Sequence, residues 1–178
     1  MDSNAVLQDF ALQDIAPQGA GAKDISDTKK RALRILGKRS FSEREMIKRL
    51  TGKGEDTEDA ENTVRWLAEM GYIDDRNYAA QIVNHYAAKG YGQARIRDEL
   101  SQRGIPRDMW DEQLSVLDET VQIDTAIEYL QKKYRSSELA DRDNIRRATQ
   151  ALVRRGFSYD EAHSAVKRFL ELCAEELE

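Results

Sequence analysis

Cysteine is all but missing. Cys173 stands alone in 178 residues, and only His85 and His163 supply imidazole. No internal disulfide is available, and these residues have no metal-ligand spacing. Proline is nearly as scarce, with Pro17 and Pro106 the only two, which favours long helices over tight hairpins. Aromatic residues are 7% of the chain, so thin helical layers suit it better than one thick core. No β-branched run alternates with period two, and a sheet is not expected. No apolar run approaches bilayer length, and Asp2, Asp9 and Asp14 interrupt anything like a signal peptide. The expectation is a soluble, cytoplasmic chain with no membrane association. Catalytic motifs are lacking too: there is no Gly-rich phosphate loop, His-rich metal motif or nucleophile elbow. Absence of a motif does not exclude an enzyme, but helical strings of this kind usually bind, so a non-enzymatic protein with no cofactor and no metal is the expectation.

Charge is what the chain has in quantity. Charged residues make up 34% of it, with a net charge of −5, so it is no polycation. The charges come in blocks. Residues 29–53 are basic, with only Glu43 and Glu45 opposing, whereas residues 55–75 are acidic apart from Arg65. Residues 111–128 again carry acids and no base, and Arg146, Arg147, Arg154 and Arg155 restore positive charge. Such banding suits docking to a polar macromolecule, and equally suits solvated helix faces.

A repeat underlies the bands. The stretch 89–105 reads as a short helix with Ile96 and Leu100 on one face, Arg103 in its last turn and Gly104 where φ turns positive. Leu-x-x-basic-Gly occurs at Leu50–Gly54, Leu100–Gly104 and Leu152–Gly156, the glycines offset by 50 and 52 residues. A fixed period of this size signals stacked supersecondary units.

Taken in order, residues 1–26 form a tail expected to be flexible, and three units follow at 27–74, 75–118 and 119–178. In the first, helix one carries Ala32, Leu33, Ile35 and Leu36. Ser42 and Glu45 form a capping box behind a Phe41–Met46 staple. The third helix buries Ala60, Val64, Leu67 and Met70, and Tyr72 and Ile73 turn back as apolar plugs. Asp74 and Asp75 read as the cap of the next helix rather than as an acid pair. The second unit opens with the stripe Tyr78, Ala79, Ile82, Val83, Tyr86 and Ala87. It closes with a helix from Arg107 whose Trp110, Leu114 and Leu117 face the core. The third has Ile123, Ile127, Leu130 and Tyr134, then a polar loop at 135–142. Next come a helix with Ile145, Ala148 and Leu152, and a Ser158/Glu161 capping box. Its last helix turns Ala162, Ala165, Val166, Phe169 and an inert, buried Cys173 inward. His85 is a helix-surface residue, and His163 has no evident partner. The fold class is all-α: three tandem three-helix repeats in an elongated, curved array.

Several blocks taken together resemble the RecX family of recombination regulators. They are Arg39-Ser40-Phe41-Ser42-Glu43, Gly71-Tyr72-Ile73-Asp74-Asp75 with Tyr78-Ala79, Gly92 through Ile96 with Glu99-Leu100, Arg103-Gly104-Ile105, and Leu152 with Arg155-Gly156-Phe157. The match spans residues 28–170. It departs at Met46 and Ile47, which replace a Glu-Leu-like ending, and at Tyr78, where the family often has Phe. The resemblance implies binding within the groove of the RecA filament and lowered RecA ATPase, strand-exchange and co-protease activity, without chemistry by this chain. It carries over fold residues only: Gly71, Tyr72, Asp75, Gly92, Ile96, Leu100, Gly104, Ile105, Gly156 and Phe157.

The leading functional expectation is therefore a monomeric modulator of the RecA–DNA filament that acts in DNA repair, recombination and the SOS response. Its contacts are sought among Arg95, Arg97, Arg103, Arg146, Arg147, Arg154 and Arg155, on short helices beside turns. The alternative is direct binding of single- or double-stranded DNA by an arginine-bearing helix–turn–helix, against which the net charge argues. A third reading is a scaffold for an unrelated protein.

Overall fold

The computed structural model describes residues 26–135 and 141–175. The tail at 1–25 and most of the polar loop at 135–142 lie outside them. The described residues are helical throughout, with no strand. They form α1 (Asp27–Leu36), α2 (Glu43–Thr51), α3 (Thr57–Glu69), α4 (Asp75–Ala88), α5 (Gln93–Gln102), α6 (Asp111–Ser115), α7 (Glu119–Lys133), α8 (Arg142–Arg154) and α9 (Tyr159–Glu175). This is an array of three-helix repeats. The described residues divide into two compact units between Tyr78 and Ala79, the boundary falling at the end of the first turn of α4.

Side-chain caps start most of the described helices, though not α5, α6 or α8. Ser42 Oγ accepts from Glu45 N–H at 3.0 Å while Glu45 Oε2 accepts from Ser42 N–H at 3.2 Å. Ser158 and Glu161 repeat the exchange at 3.1 and 2.7 Å ahead of α9. Asp56 caps α3 and Asp118 caps α7, each accepting a first-turn N–H at 2.9 Å. Asp74 caps α4 through Asn77 N–H, also at 2.9 Å. Asp75 does something else. Its carboxylate accepts from Glu43 N–H at 3.0 Å, so it caps α2 from 32 residues away.

The recurring Leu-x-x-basic-Gly ending is a Schellman closure. Gly54, Gly104 and Gly156 take φ of 92°, 71° and 94°. In each case the next N–H returns to the leucine carbonyl at 3.2 Å: Glu55 to Leu50, Ile105 to Leu100, Phe157 to Leu152. These are the ends of α2, α5 and α8, so the sequence period marks equivalent second helices.

In the first unit, Ala32, Ile35, Phe41, Met46, Leu50, Ala60, Val64, Leu67 and Ile73 form one core, with Ile47 and Trp66 packed at its edge. Met70 is not part of it. The helix ends at Glu69, and Met70 caps it at 55% exposure. Tyr72 also stays at the surface, tilted beside Trp66 at 6.0 Å, so Ile73 alone is the plug.

In the second unit, the Tyr86 hydroxyl of α4 lies beside the Glu99 carboxylate of α5, and burial with that neighbour raises the phenol pKa. The helix expected from Arg107 is broken. A 3-10 turn over Arg107–Met109 leads to Trp110 at φ −125°, and α6 starts after it. Trp110 is buried as expected, and its indole N–H donates to Ile105 carbonyl at 3.0 Å. That bond ties the ring to the turn that follows α5. The core of α7, α8 and α9 joins Ile123, Ala126, Ile127 and Leu130 to Ala148, Leu152, Phe157, Ala162, Ala165, Val166 and Phe169. Cys173 is only partly buried beside it, not enclosed. His163 does have a neighbour: its ring stacks on Tyr159 at 6.3 Å with 6° between planes.

Candidate docking surface

The start of a helix has unbonded N–H groups and its end has unbonded carbonyls. Here the start of α5 is set against the end of α8. Gly92 N–H donates to Arg155 carbonyl at 2.9 Å, and Ala94 N–H to Gly156 carbonyl at 3.0 Å. Between them, Gln93 N–H donates to the side-chain oxygen of Gln122 at 2.8 Å. Gln93 in turn spends its amide on the Leu114 and Leu117 carbonyls, both at 3.0 Å, closing off the end of α6. Gln122 is almost wholly enclosed, at 1% exposure, so its polar end needs this bond.

Two glycines make the approach possible. A Cβ on Gly92 would lie 2.3 Å from the Gly156 carbonyl carbon, and one on Gly156 would lie 2.4 Å from Arg95 N. Only hydrogens fit there. Arg155 clasps the same joint, its guanidinium donating to Gly90 carbonyl at 2.9 Å and Lys89 carbonyl at 2.6 Å. It is sandwiched between Tyr91 and Tyr129, 4.3 Å from each ring centroid.

This joint sorts the seven arginines singled out from the sequence. Arg155 is committed to the clasp. Arg103 is committed within its own helix, bonding Glu99 at 2.9 and 2.7 Å. Burial pushes the Glu99 carboxyl up. Bonds from Arg103 and Tyr86, with the charges of Arg103 and Arg95, outweigh that and hold it below the usual range. The other five, Arg95, Arg97, Arg146, Arg147 and Arg154, are exposed. Arg147 and Arg154 are seven residues apart, so they share a face of α8, and Arg146, Gln150 and Val153 lie beside them. Val153 is 43% exposed. The close contact at Gly156 sets the backbone of Arg95 next to the end of this face. The result is a cationic strip with an apolar point in it, mounted on a rigid joint.

The first N–H groups of α5 are already bonded to protein carbonyls, so that helix start is closed to a phosphate. No group of His, Cys, Asp or Glu among the described residues is arranged to hold a metal. No described helix is long and apolar enough to cross a membrane. Gln93, Gln122 and the clasp of Arg155 were invisible to sequence reasoning, because each bonds across 21 to 66 residues.

Comparison with known proteins agrees with this architecture. Residues 74–114 match the second three-helix domain of RecX, and residues 120–166 match the third. A regulatory protein RecX from Halorhodospira halophila is 31% identical over 150 residues, covering 83% of this chain and 89% of the relative. One from Vibrio cholerae is 28% identical, covering 81% and 94%. One from Escherichia coli reaches 41% over 88 residues, covering 44% and 53%. The crystal structure of RecX from Lactobacillus salivarius superposes with a TM-score of 0.73 at 24% identity, covering 84% of this chain and 97% of that one, and shares the fold. With a helical-repeat architecture and full-length relatives that carry one designation, the chain belongs to the RecX family of regulatory proteins.

Proposed function

We propose that this protein is a cytoplasmic, non-enzymatic modulator of the RecA–DNA filament, binding it and lowering RecA ATPase, strand-exchange and co-protease activity. The observation that carries the reading is the exposed strip of Arg146, Arg147, Arg154 and Arg95 on a joint stiffened by backbone bonds. A rigid strip loses little freedom on docking, and small patches repeated over successive filament subunits add through avidity. The motif resemblance over residues 28–170 suggests RecA as the partner, and membership of the family supports a regulatory role.

The test is RecA-catalysed, DNA-dependent ATP hydrolysis with this protein added well below RecA stoichiometry. Inhibition is expected, with Arg146→Glu/Arg147→Glu weakening it by roughly tenfold or more through opposed charge at the contact. Undiminished hydrolysis under filament-forming conditions overturns the reading. Direct DNA binding is separated by titrating single- and double-stranded DNA against salt without RecA. Tight binding with a steep salt slope would favour that alternative.

A further inference from the structure

The first unit has a groove that this reading does not use. It has a volume of about 280 Å³. Ile35 and Phe41, core residues left 9% and 8% exposed, form a narrow apolar floor, and Arg31, Arg34, Lys38, Arg49 and Lys53 supply cationic walls. Arg31 is held by the Glu55 carboxylate, which also accepts from Thr28 Oγ1 at 2.7 Å. Arg34, Lys38, Arg49 and Lys53 are exposed and have no acidic partner among the described residues. Four unneutralised cations on and just beyond α1 and α2 repel one another, and the narrow apolar floor between them is poorly hydrated. A ligand that satisfies both features carries carboxylates and apolar side chains together.

This chain contains such a segment. Residues 2–15 hold Asp2, Asp9 and Asp14 with Val6, Leu7, Phe10, Leu12 and Ile15, and no lysine or arginine. The segment is tethered to the groove's own helix, because Ser26 is the N-cap of α1. The connection from residue 15 to Ser26 spans up to roughly 36 Å when extended. Arg34 lies only about 12 Å along α1 from Ser26, and Lys38 follows just past the helix end. A short tether gives an effective concentration on the order of millimolar, so modest contacts suffice for occupancy.

We propose that residues 2–15 dock in this groove of their own chain, with Phe10 and its apolar neighbours on Ile35 and Phe41 and the aspartates among Arg34, Lys38, Arg49 and Lys53. The groove is thus an acidic-peptide site held by an intramolecular ligand, and any acidic partner must displace that segment to enter. This proposal is independent of the arginine strip on the second unit.

The test uses the full chain with a photoreactive benzophenone amino acid in place of Phe10, irradiated at low concentration and mapped by mass spectrometry. Adducts within one chain at Ile35, Phe41 or the flanking residues of α1 and α2 are expected. They should fall roughly fivefold or more in roughly 0.5 M salt, where exposed charge pairs are screened, and in Lys38→Glu/Arg49→Glu. Both residues are exposed, so the helical circular dichroism of that variant should match the parent. Asp9→Lys/Asp14→Lys changes only the segment and must lower the same adducts. Scattered adducts, or groove adducts indifferent to both variants, overturn the proposal. Adducts only between two chains overturn it in favour of a second copy's segment. Scattered adducts with single-stranded DNA binding that Lys38→Glu/Arg49→Glu abolishes would give the groove to a phosphate backbone instead.

Discussion

One cation of the second unit and four of the first have opposite fates. In the second, Arg155 is drawn into the joint between α5 and α8, held by two carbonyls and two tyrosine rings. In the first, Arg34, Lys38, Arg49 and Lys53 ring an apolar groove and stay in solvent. The first unit is held by a core gathered under three helices and by carboxylate caps. The second adds a layer of backbone bonds between two repeats, made possible by the absence of side chains at Gly92 and Gly156. A basic residue near a helix end is therefore no evidence of a partner in itself. Its role depends on whether carbonyls and rings from another repeat reach it.

Gly156→Ala should break that contrast most severely. The methyl group would meet backbone at φ +94°, with Arg95 N within 2.4 Å. Strain and displacement together should cost about 4 kcal/mol. Amide hydrogen exchange should show α5 and α8 losing protection while α2 keeps its own. Equal loss across the chain would mean that the joint is not the local weak point. Arg155→Met follows, since it keeps the stem and removes two charged donors and the stacking. A loss of about 2 kcal/mol is expected in urea melts. Arg154→Ala, exposed one residue away, should change the same midpoint little and should matter only in the RecA assay.

Local rules reached far into this fold. Ser42 with Glu45 and Ser158 with Glu161 are capping boxes because the partners are three residues apart, and such spacing is visible in any sequence. The period of Gly54, Gly104 and Gly156 marked the second helix of each repeat because a Schellman turn has a residue requirement. Reasoning failed where the partner is distant. Gln93 and Gln122 look like ordinary surface amides, and nothing within a few residues tells that one bonds the other's backbone. Asp75 belongs to α4 in sequence and to α2 in its hydrogen bond. Met70 misled for a different reason: the apolar stripe continues one residue past the place where the helix stops. Among the candidate contact residues, sequence could rank cations but could not separate the clasped Arg155 from the free Arg154.

Asp75 offers a medium-sized test on the first unit. Asp75→Ala leaves Glu43 N–H at the buried start of α2 without its acceptor and should cost about 2 kcal/mol. Asp75→Asn keeps an acceptor oxygen and removes a charge that burial disfavours. Desolvation is the largest influence on this carboxyl and raises its pKa to about 6, against a bond from Glu43 N–H that lowers it. Because the folded value lies above the unfolded 3.8, the folded state holds the proton more tightly. The proton-linked part of the contribution of Asp75 to stability is then fully present below pH 3.8, declines as pH rises, and is lost above pH 6, while the bond to Glu43 N–H is separate from it. Parent minus Asp75→Asn stability should fall across that window in urea melts. A flat difference would show that the carboxylate is better solvated than its enclosure suggests.

The smallest effect sharpens the comparison best. Gly54→Ala places a methyl group at φ +92°, almost the angle of Gly156, in the same Schellman closure at the end of the equivalent helix. Nothing lies within 4 Å of that methyl group. Only the left-handed strain remains, about 1 kcal/mol, and it should appear in the first unit alone. Subtracting it from the loss at Gly156 isolates what the close approach of α5 and α8 requires. If the two variants lose the same stability, the glycine at 156 serves only its own turn, and the joint tolerates a side chain. If Gly156→Ala loses several times more, the shared motif has two functions: it ends a helix in the first unit, and in the second it also docks a neighbouring repeat.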